Sequence, residues 1–159
     1  MNYVVDASVA IKWYVPEIYE QEAATLLRGN HVFHAPELIY PEFSNILWKK
    51  VRRGEITSAE GQRIIAAFAK TKLIPHSHQP LIQSAYAGAE STGQTVYDWT
   101  YLALAISLSC EFVTADEKFY RALENTALRA TELMANPRAT QNYASRSTTL
   151  VRIAFDWMH

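Results

Sequence analysis

The feature that most constrains this chain is the stretch of residues 97–116, which runs from one aspartate to another through a largely apolar sequence. Asp98 stands near its beginning, and residues 101–108 are apolar nearly all the way round a helix. A helix without a polar face is buried under other elements. Residues 111–114 then form a short run typical of a buried strand, and Asp116 stands just beyond it. The pattern predicts a buried helix and a buried strand, each with a carboxylate at one end.

The rest of the chain alternates between short strand-like runs and helical patterns. The candidate strands lie at residues 3–5, 31–34, 73–74, 111–114 and 150–155. Helical patterns fill most of the intervals between them, including a long one over residues 38–53. Such alternation is typical of an α/β fold in which parallel strands are joined by helices. The sequence therefore predicts a three-layer α/β/α domain with a mostly parallel central sheet.

Length and composition favour one domain. The chain has 159 residues, of which 49% are hydrophobic, and this is enough for a sizeable core. Beyond residue 124 the composition shifts towards Ser, Thr and Asn. We therefore expect a single domain over residues 1–159, comprising a core at 1–123, a loop or insertion at 124–148 and a candidate final strand at 149–156.

Charge, cysteine content and hydropathy narrow the class of protein. The net charge of −1 favours neither a nucleic-acid nor a membrane partner. Cys110 is the only cysteine, so an internal disulfide is excluded. No uncharged apolar run reaches the roughly 20 residues that a membrane span requires. We expect a cytoplasmic protein.

Four acidic residues occupy positions that the predicted topology brings together. Asp6 follows the first strand, as Asp116 follows the later one. Because sites in open parallel sheets form outside the carboxyl ends of the strands, these two side chains are expected in one crevice. Asp98 lies in the first turn of the apolar helix, whose positive end tolerates an anion. Glu42 lies in the first turns of the helix over residues 38–53, on its apolar side. We expect the four carboxylates to converge.

Convergent carboxylates need a cation. Without one, their mutual repulsion would raise at least one pKa sharply. Magnesium or manganese suits a site made only of oxygen ligands. Such ions turn water into a nucleophile and stabilise the charge that develops on a phosphodiester. The sequence offers no good arrangement of His, Cys or Ser for nucleophilic catalysis, so the acids are the better candidates for chemistry.

Structural roles are the alternative for each acid taken singly. Asp6 could cap the helix that starts near Ser8, and Asp116 could cap the helix that follows it. Glu42 could be a partly exposed helix residue paired with Lys49. These alternatives stay open at the level of the sequence.

Four short motifs together resemble those of a known family. They are VDASVAIKW at residues 5–13, APEL at 35–38 with Glu42, Asn45 and Leu47 after it, YD at 97–98 with YLALA at 101–105, and TAD at 114–116. In this order and at these intervals they resemble the motifs of the PIN-domain ribonucleases. The resemblance is greatest to the VapC-type toxins of toxin–antitoxin pairs, and it spans residues 1 to about 123.

The resemblance implies a fold, an activity and partners. It implies a parallel α/β fold, an acidic pocket holding magnesium or manganese, cleavage of RNA, and inhibition by a cognate antitoxin protein. The positions that match the four catalytic and metal-binding acids of the family are Asp6, Glu42, Asp98 and Asp116. Ser8 and Thr114 match hydroxyl positions that support the acids through hydrogen bonds. Trp99 stands where the family usually has a small residue, and its indole is expected at the pocket rim.

Basic and aromatic residues give weaker signals. The candidates for contacts with RNA phosphates are Lys12 and the cluster of Lys49, Lys50, Arg52 and Arg53. A solvated helix end that is favoured by the helix dipole explains the cluster equally well. His76 and His78, between two prolines, are expected in a loop without a metal role. The tryptophans sit in apolar contexts that favour core or interface positions over base stacking.

Two functions remain in competition. The first is a metal-dependent endoribonuclease that hydrolyses RNA phosphodiester bonds as the toxin of a type II toxin–antitoxin system. The second is a catalytically silent PIN-like module that acts only through protein contacts. We expect a homodimer in either case, because the apolar helices and abundant tyrosine leave surface for self-association.

Overall fold

A computed structural model of the chain, which describes residues 1–16, 20–124 and 151–153, contains one parallel sheet. Its strands are β1 (Asn2–Val5), β2 (Val32–Pro36), β3 (Leu73–His76), β4 (Glu111–Thr114) and β5 (Val151–Ile153). Their order across the sheet is β3-β2-β1-β4-β5, and each neighbouring pair is parallel. In the register of β1 and β4, Val5 lies opposite Val113. The two strands that precede Asp6 and Asp116 therefore end side by side.

Seven α-helices and two short 3₁₀ segments connect the described strands. The helices are α1 (Ala7–Ala10), α2 (Glu20–Arg28), α3 (Ile39–Arg52), α4 (Ser58–Phe68), α5 (Ile82–Thr92), α6 (Val96–Leu108) and α7 (Glu117–Glu124). The 3₁₀ segments are Ile11–Trp13 and Gln79–Leu81. Thr57 and Glu60 form a capping box at the start of α4, with hydrogen bonds in both directions. None of the helices in this described part combines the length and the apolar content needed to cross a bilayer.

Helices cover both faces of the sheet. Paired residues of parallel strands point to the same face, and successive residues point to opposite faces. On one face the Tyr101 ring of α6 stacks over Phe112 of β4 with ring centroids 6.5 Å apart. On the other face Trp13 packs against Phe33 of β2 with ring centroids 5.3 Å apart. The predicted three-layer α/β architecture is confirmed.

Helix α6 is the buried centre of the molecule. Every side chain from Trp99 to Ala105 is buried, as the absence of a polar face predicts. The helix contacts β1, β2 and β4, and the central strands contribute fully buried Val4 and Phe112. Its N-terminus is capped by Thr95, whose Oγ1 accepts a hydrogen bond of 3.1 Å from the Asp98 backbone N–H. Burial of this helix fixes the position of the carboxylate in its first turn.

One local prediction, the loop at His76, needs correction. His76 lies in β3 and not in a loop, because β3 pairs with β2 as far as Pro36 and an edge strand tolerates its proline. The His76 ring is hydrogen-bonded to the His34 ring, with nitrogen atoms 2.9 Å apart.

The C-terminal part of the chain is described only in β5. The candidate strand at residues 150–155 corresponds to Val151–Ile153, which pairs with β4. The predicted loop or insertion at 124–148 falls almost wholly outside the described residues. The division of the chain into a core, an insertion and a final strand stays a prediction.

Candidate active site

Asp6 lies at the carboxyl end of β1, where the chain turns into α1. Its side chain is 9% exposed and accepts hydrogen bonds on both oxygens. The Val9 backbone N–H donates to Oδ1 over 3.0 Å, so Asp6 is the N-cap of α1. The Ser8 hydroxyl also donates to Oδ1, over 2.5 Å, and the Thr114 hydroxyl donates to Oδ2. The capping role and a role in a site are therefore compatible, because one buried carboxylate does both.

The two hydroxyls also tie Asp6 to the end of β4. The Ser8 Oγ atom accepts a hydrogen bond of 2.9 Å from the Ala115 backbone N–H. The Thr114 Oγ1 atom accepts one of 3.0 Å from the Asp116 backbone N–H. Thr114 itself is fully buried. The hydrogen bonds that the family resemblance implies for Ser8 and Thr114 are thus present, and they hold the ends of β1 and β4 together.

Asp116 and Asp98 stand at the two helix starts that face this edge. Asp116 follows β4, and its Oδ1 accepts a hydrogen bond of 2.9 Å from the Phe119 backbone N–H, which caps α7. Asp98 is half-buried in the first turn of α6, where the Thr95 hydroxyl donates to its Oδ2 over 2.6 Å. Both carboxylates thus occupy positive helix N-termini, which favour an anion.

Glu42 approaches from α3 and is held by a residue of α6. The Tyr101 hydroxyl donates to Glu42 Oε2 over 2.5 Å, across 59 positions of the sequence. Tyr101 is 2% exposed, so its hydroxyl has little access to water. Glu42 is therefore joined to the core and not to Lys49, which was the alternative. Sequence reasoning missed Tyr101. A tyrosine three residues after Asp98 on an apolar helix carries a hydroxyl that needs a hydrogen-bond partner when it is buried, and this could have signalled its role.

Electrostatics couples the four acids. Burial raises the pKa of Asp6 to about 6, with a further contribution from the charge of Asp116, against the opposing effect of its hydrogen bonds. Burial also raises the pKa of Glu42, and the charges of Asp6 and Asp98 add to it. The pKa of Asp98 is raised by burial first and then by the charge of Asp116. Each of these three pKa values is thus raised in part by the charge of another acid of the set, and the four carboxylates form one negatively charged region.

The donor set fits a hard divalent cation, although the side chains are not gathered around one point. Within the described residues, no group of three or more His, Cys, Asp or Glu side chains is close enough to hold an ion as it stands. Each carboxylate instead accepts hydrogen bonds from its own set of donors. The raised pKa values show the cost of this arrangement, which a cation would remove. Carboxylate oxygens without nitrogen or sulfur donors suit magnesium or manganese.

The basic cluster at the end of α3 lies away from Glu42 along the helix axis. At about 1.5 Å per residue, residues 49–53 are about 10–16 Å from Glu42 along the α3 axis. Lys50 and Arg53 form ion pairs with Glu55, with N···O distances of 2.9 Å and 3.6 Å. Lys12 lies half-buried in the 3₁₀ segment that follows α1. The structure does not bring the basic cluster into the acidic region.

Trp99 does not stand at the rim of the pocket, and that prediction is wrong. Its side chain is 5% exposed and packs between α5 and α6. The indole Nε1 donates to Thr92 Oγ1 over 2.7 Å, and a Cβ atom at Gly88 would overlap the ring. Neighbouring residues of a helix point in different directions, so Trp99 and Asp98 face different elements. Because α6 is buried on all sides, the Trp99 side chain meets another helix, which is α5. The large residue is therefore part of the packing between α5, α6 and α7.

Known proteins resemble this chain over most of its length. A family model described as "PIN domain" matches residues 3–124. "Ribonuclease VapC3" of Pyrobaculum aerophilum is 33% identical over 121 residues, which are 74% of this chain and 92% of that protein. The crystal structure of PAE2754 from Pyrobaculum aerophilum has a TM-score of 0.59 at 24% identity, covering 83% of this chain and 96% of the other. A crystal structure of VapBC2 from Rickettsia felis bound to a DNA fragment from their promoter has a TM-score of 0.53 at 16% identity, covering 76% and 92%.

Proposed function

Because this chain belongs to the PIN-domain family, we propose that it is an endoribonuclease that hydrolyses RNA phosphodiester bonds as the toxin of a type II toxin–antitoxin pair. Its relative at 33% identity carries the name Ribonuclease VapC3, and the match covers 92% of that protein. A fold relative was crystallised as VapBC2, a name that joins the toxin to its partner. We further propose that the enzyme depends on magnesium or manganese and acts in the cytoplasm.

The observation that carries the proposal is the electrostatic coupling of four acids at one edge of the sheet. Asp6, Glu42, Asp98 and Asp116 come from four separate parts of the sequence, and three of them have raised pKa values. Raised carboxylate pKa values caused by burial and by like charges are typical of functional sites. A set of helix caps with only structural roles would have no reason to place carboxylates where their charges raise one another's pKa values.

The chemistry follows from what the residues can hold. Asp6, Glu42, Asp98 and Asp116 would bind the ion, which supplies a nucleophile at neutral pH and charge stabilisation for a phosphodiester. Ser8 and Thr114 fix both oxygens of Asp6, and Tyr101 fixes one oxygen of Glu42. The carboxylates of Asp6 and Glu42 are therefore held in fixed orientations before substrate binds. Such preorganisation is what a site for phosphoryl chemistry requires.

A protein partner is part of the proposal. The crystallised VapBC2 assembly supports a cognate antitoxin that binds this chain, and self-association into a homodimer stays a prediction. Several large apolar side chains are exposed among the described residues, which leaves surface for such contacts; Trp48, Tyr86 and Tyr97 are more than half exposed. Co-expression of the chain with the product of its neighbouring gene, followed by affinity purification, tests the antitoxin. Purification of the toxin alone would contradict it.

The direct test is cleavage of RNA by the wild type and by Asp6→Asn. Asparagine keeps the N-cap of α1, so the substitution removes the charge while the helix start is preserved. We expect cleavage of single-stranded and structured RNA with Mg²⁺ or Mn²⁺ by the wild type, and a loss of at least about 100-fold in the variant. Glu90→Gln, an exposed acid of α5, is the matched control and should cleave like the wild type.

Two outcomes would contradict the proposal. Equal cleavage by the wild type and Asp6→Asn would remove the acids from the chemistry. If no RNA is cleaved with either ion while an antitoxin is still bound, the catalytically silent protein-binding module becomes the better description.

A further inference from the structure

Trp48 is the most exposed aromatic residue of α3. The side chains that face the core from this helix are Ile39, Phe43 and Leu47. Trp48 follows directly on the outer side and is 52% exposed. At this exposure a large part of the indole surface is accessible to a binding partner.

Trp48 lies beside a stripe of polar residues that begins at the acidic region. Residues at spacings of 3, 7 and 10 share one face of an α-helix. From Glu42 these spacings give Asn45, Lys49 and Arg52, all three of which are exposed. Lys49 and Arg52 are about 10 Å and 15 Å from Glu42 along the axis. One side of α3 therefore carries Glu42, a proposed ligand of the ion, followed by two cationic side chains. The indole of Trp48 lies next to this side of the helix.

The cations of this stripe are available to a polyanion. Lys50 and Arg53 share one carboxylate, that of Glu55, as the partner of their ion pairs. Neither Lys49 nor Arg52 forms an ion pair with any residue in the described part of the chain. The Arg52 guanidinium instead lies over the Trp48 ring, with Cζ 4.8 Å from the ring centroid. The guanidinium therefore stacks on one face of the indole, and the pair is a stack of planar groups that carries positive charge.

We infer that this face of α3 is a binding track for single-stranded RNA, in which a base stacks on Trp48 and Arg52 while Lys49 contacts the backbone. The inference rests on the proposed ribonuclease function and adds to it the place where the substrate strand runs beyond the acids. Aromatic rings and arginine planes that stack bases, next to cations that follow the phosphates, are how proteins hold unpaired nucleic acid. The occupant has to be anionic and to present π-faces, and RNA does both.

The test is RNA binding in the absence of divalent ions. A fluorescein-labelled single strand of about 16 nucleotides, near the upper site size of single-strand-binding folds, is titrated with the full chain in EDTA, and its anisotropy is measured. We expect Trp48→Ala to weaken binding by about 5- to 100-fold, the equivalent of one stacked base. Trp48→Phe should restore most of this loss. Lys49→Ala should lower the slope of log K against log salt by about 0.7, the value for one phosphate contact in a single strand.

Matched controls come from other elements of the fold. Tyr86→Ala removes an exposed aromatic side chain of α5, and Lys72→Ala removes an exposed cation next to β3. Both should bind RNA like the wild type. Equal affinities for wild type and Trp48→Ala, or absence of RNA binding by the wild type, would overturn the inference. The same holds if Trp48→Ala changes the oligomeric state on gel filtration without changing RNA affinity, since α3 would then be a contact between two copies.

The two experiments separate a failure of the binding track from a failure of the proposed ribonuclease function. Cleavage of RNA with unchanged binding in Trp48→Ala would contradict the track and leave the ribonuclease intact. Binding that depends on Trp48, without cleavage by the wild type under any divalent ion, would contradict the ribonuclease and leave the track intact.

Discussion

The buried charge of Asp6 predicts that removing it stabilises the protein when no metal is present. The pKa of Asp6 is raised from 3.8 to about 6, with burial as the largest cause. Between these values the folded state binds more protons than the unfolded state, so the free energy of unfolding falls as pH rises through this window. A difference of about 2 pH units corresponds to about 3 kcal/mol at neutral pH.

Asp6→Asn escapes this cost while it retains most of the local structure. Its Oδ1 can still accept from Val9 and Ser8, but its amide donates and cannot accept the Thr114 hydroxyl. One lost hydrogen bond costs about 1 kcal/mol. The net expectation is about 2 kcal/mol of added stability at pH 7.5 in EDTA, or about 4–8 °C in Tm for a chain of this size. At pH 4 the gain should vanish and the variant should be slightly less stable than the wild type.

Urea unfolding followed by circular dichroism measures this difference directly. Wild type, Asp6→Asn and the exposed control Glu90→Gln are compared at pH 4 and pH 7.5 in EDTA. If Asp6→Asn is destabilising by the same amount at both pH values, Asp6 is an ordinary cap whose charge is not in conflict with its surroundings. The electrostatic account of the site would then be refuted.

Two further substitutions test how the acids and α6 are held. Tyr101→Phe should destabilise the metal-free protein by about 1–2 kcal/mol at pH 7.5, because Glu42 loses its hydroxyl donor, and the loss measured by urea unfolding should shrink at a pH where Glu42 is protonated. A loss that does not depend on pH would assign Tyr101 to packing alone. Gly88→Ala should cost about 1–3 kcal/mol, because the added methyl group overlaps the Trp99 indole and forces α5 and α6 apart. A thermal unfolding midpoint equal to that of the wild type would show that the indole can move without cost.

The central elements could be predicted because their signals are local. α6 has no polar face, and β4 is a short apolar run bounded by polar residues, so burial follows from composition alone. The positions of Asp6 and Asp116 follow from one further rule, that the carboxyl ends of parallel strands share an edge. Strand pairing between β1 and β4 supplies that edge.

The contacts that the sequence did not predict are those made between distant segments. The Tyr101–Glu42 hydrogen bond joins α6 to α3, and no periodicity within either helix indicates it. The ring pair of His34 and His76 depends on β3 being the edge partner of β2, which a four-residue strand with a proline does not signal. The predicted direction of the Trp99 side chain was wrong for a related reason, because the packing of α5 against α6 decides it. Tertiary packing overrides local preference at such positions.

Binding of Mn²⁺ to the metal-free protein, followed by electron paramagnetic resonance of the free ion, tests the four-acid site most directly. We expect saturable binding to the wild type and unchanged binding to Glu90→Gln. Since loss of even an outer partner of a metal ligand costs about 10–100-fold in affinity, each of Asp6→Asn, Glu42→Gln, Asp98→Asn and Asp116→Asn should weaken binding at least about tenfold. Wild-type affinity in all four variants, or no binding to the wild type, would contradict the account.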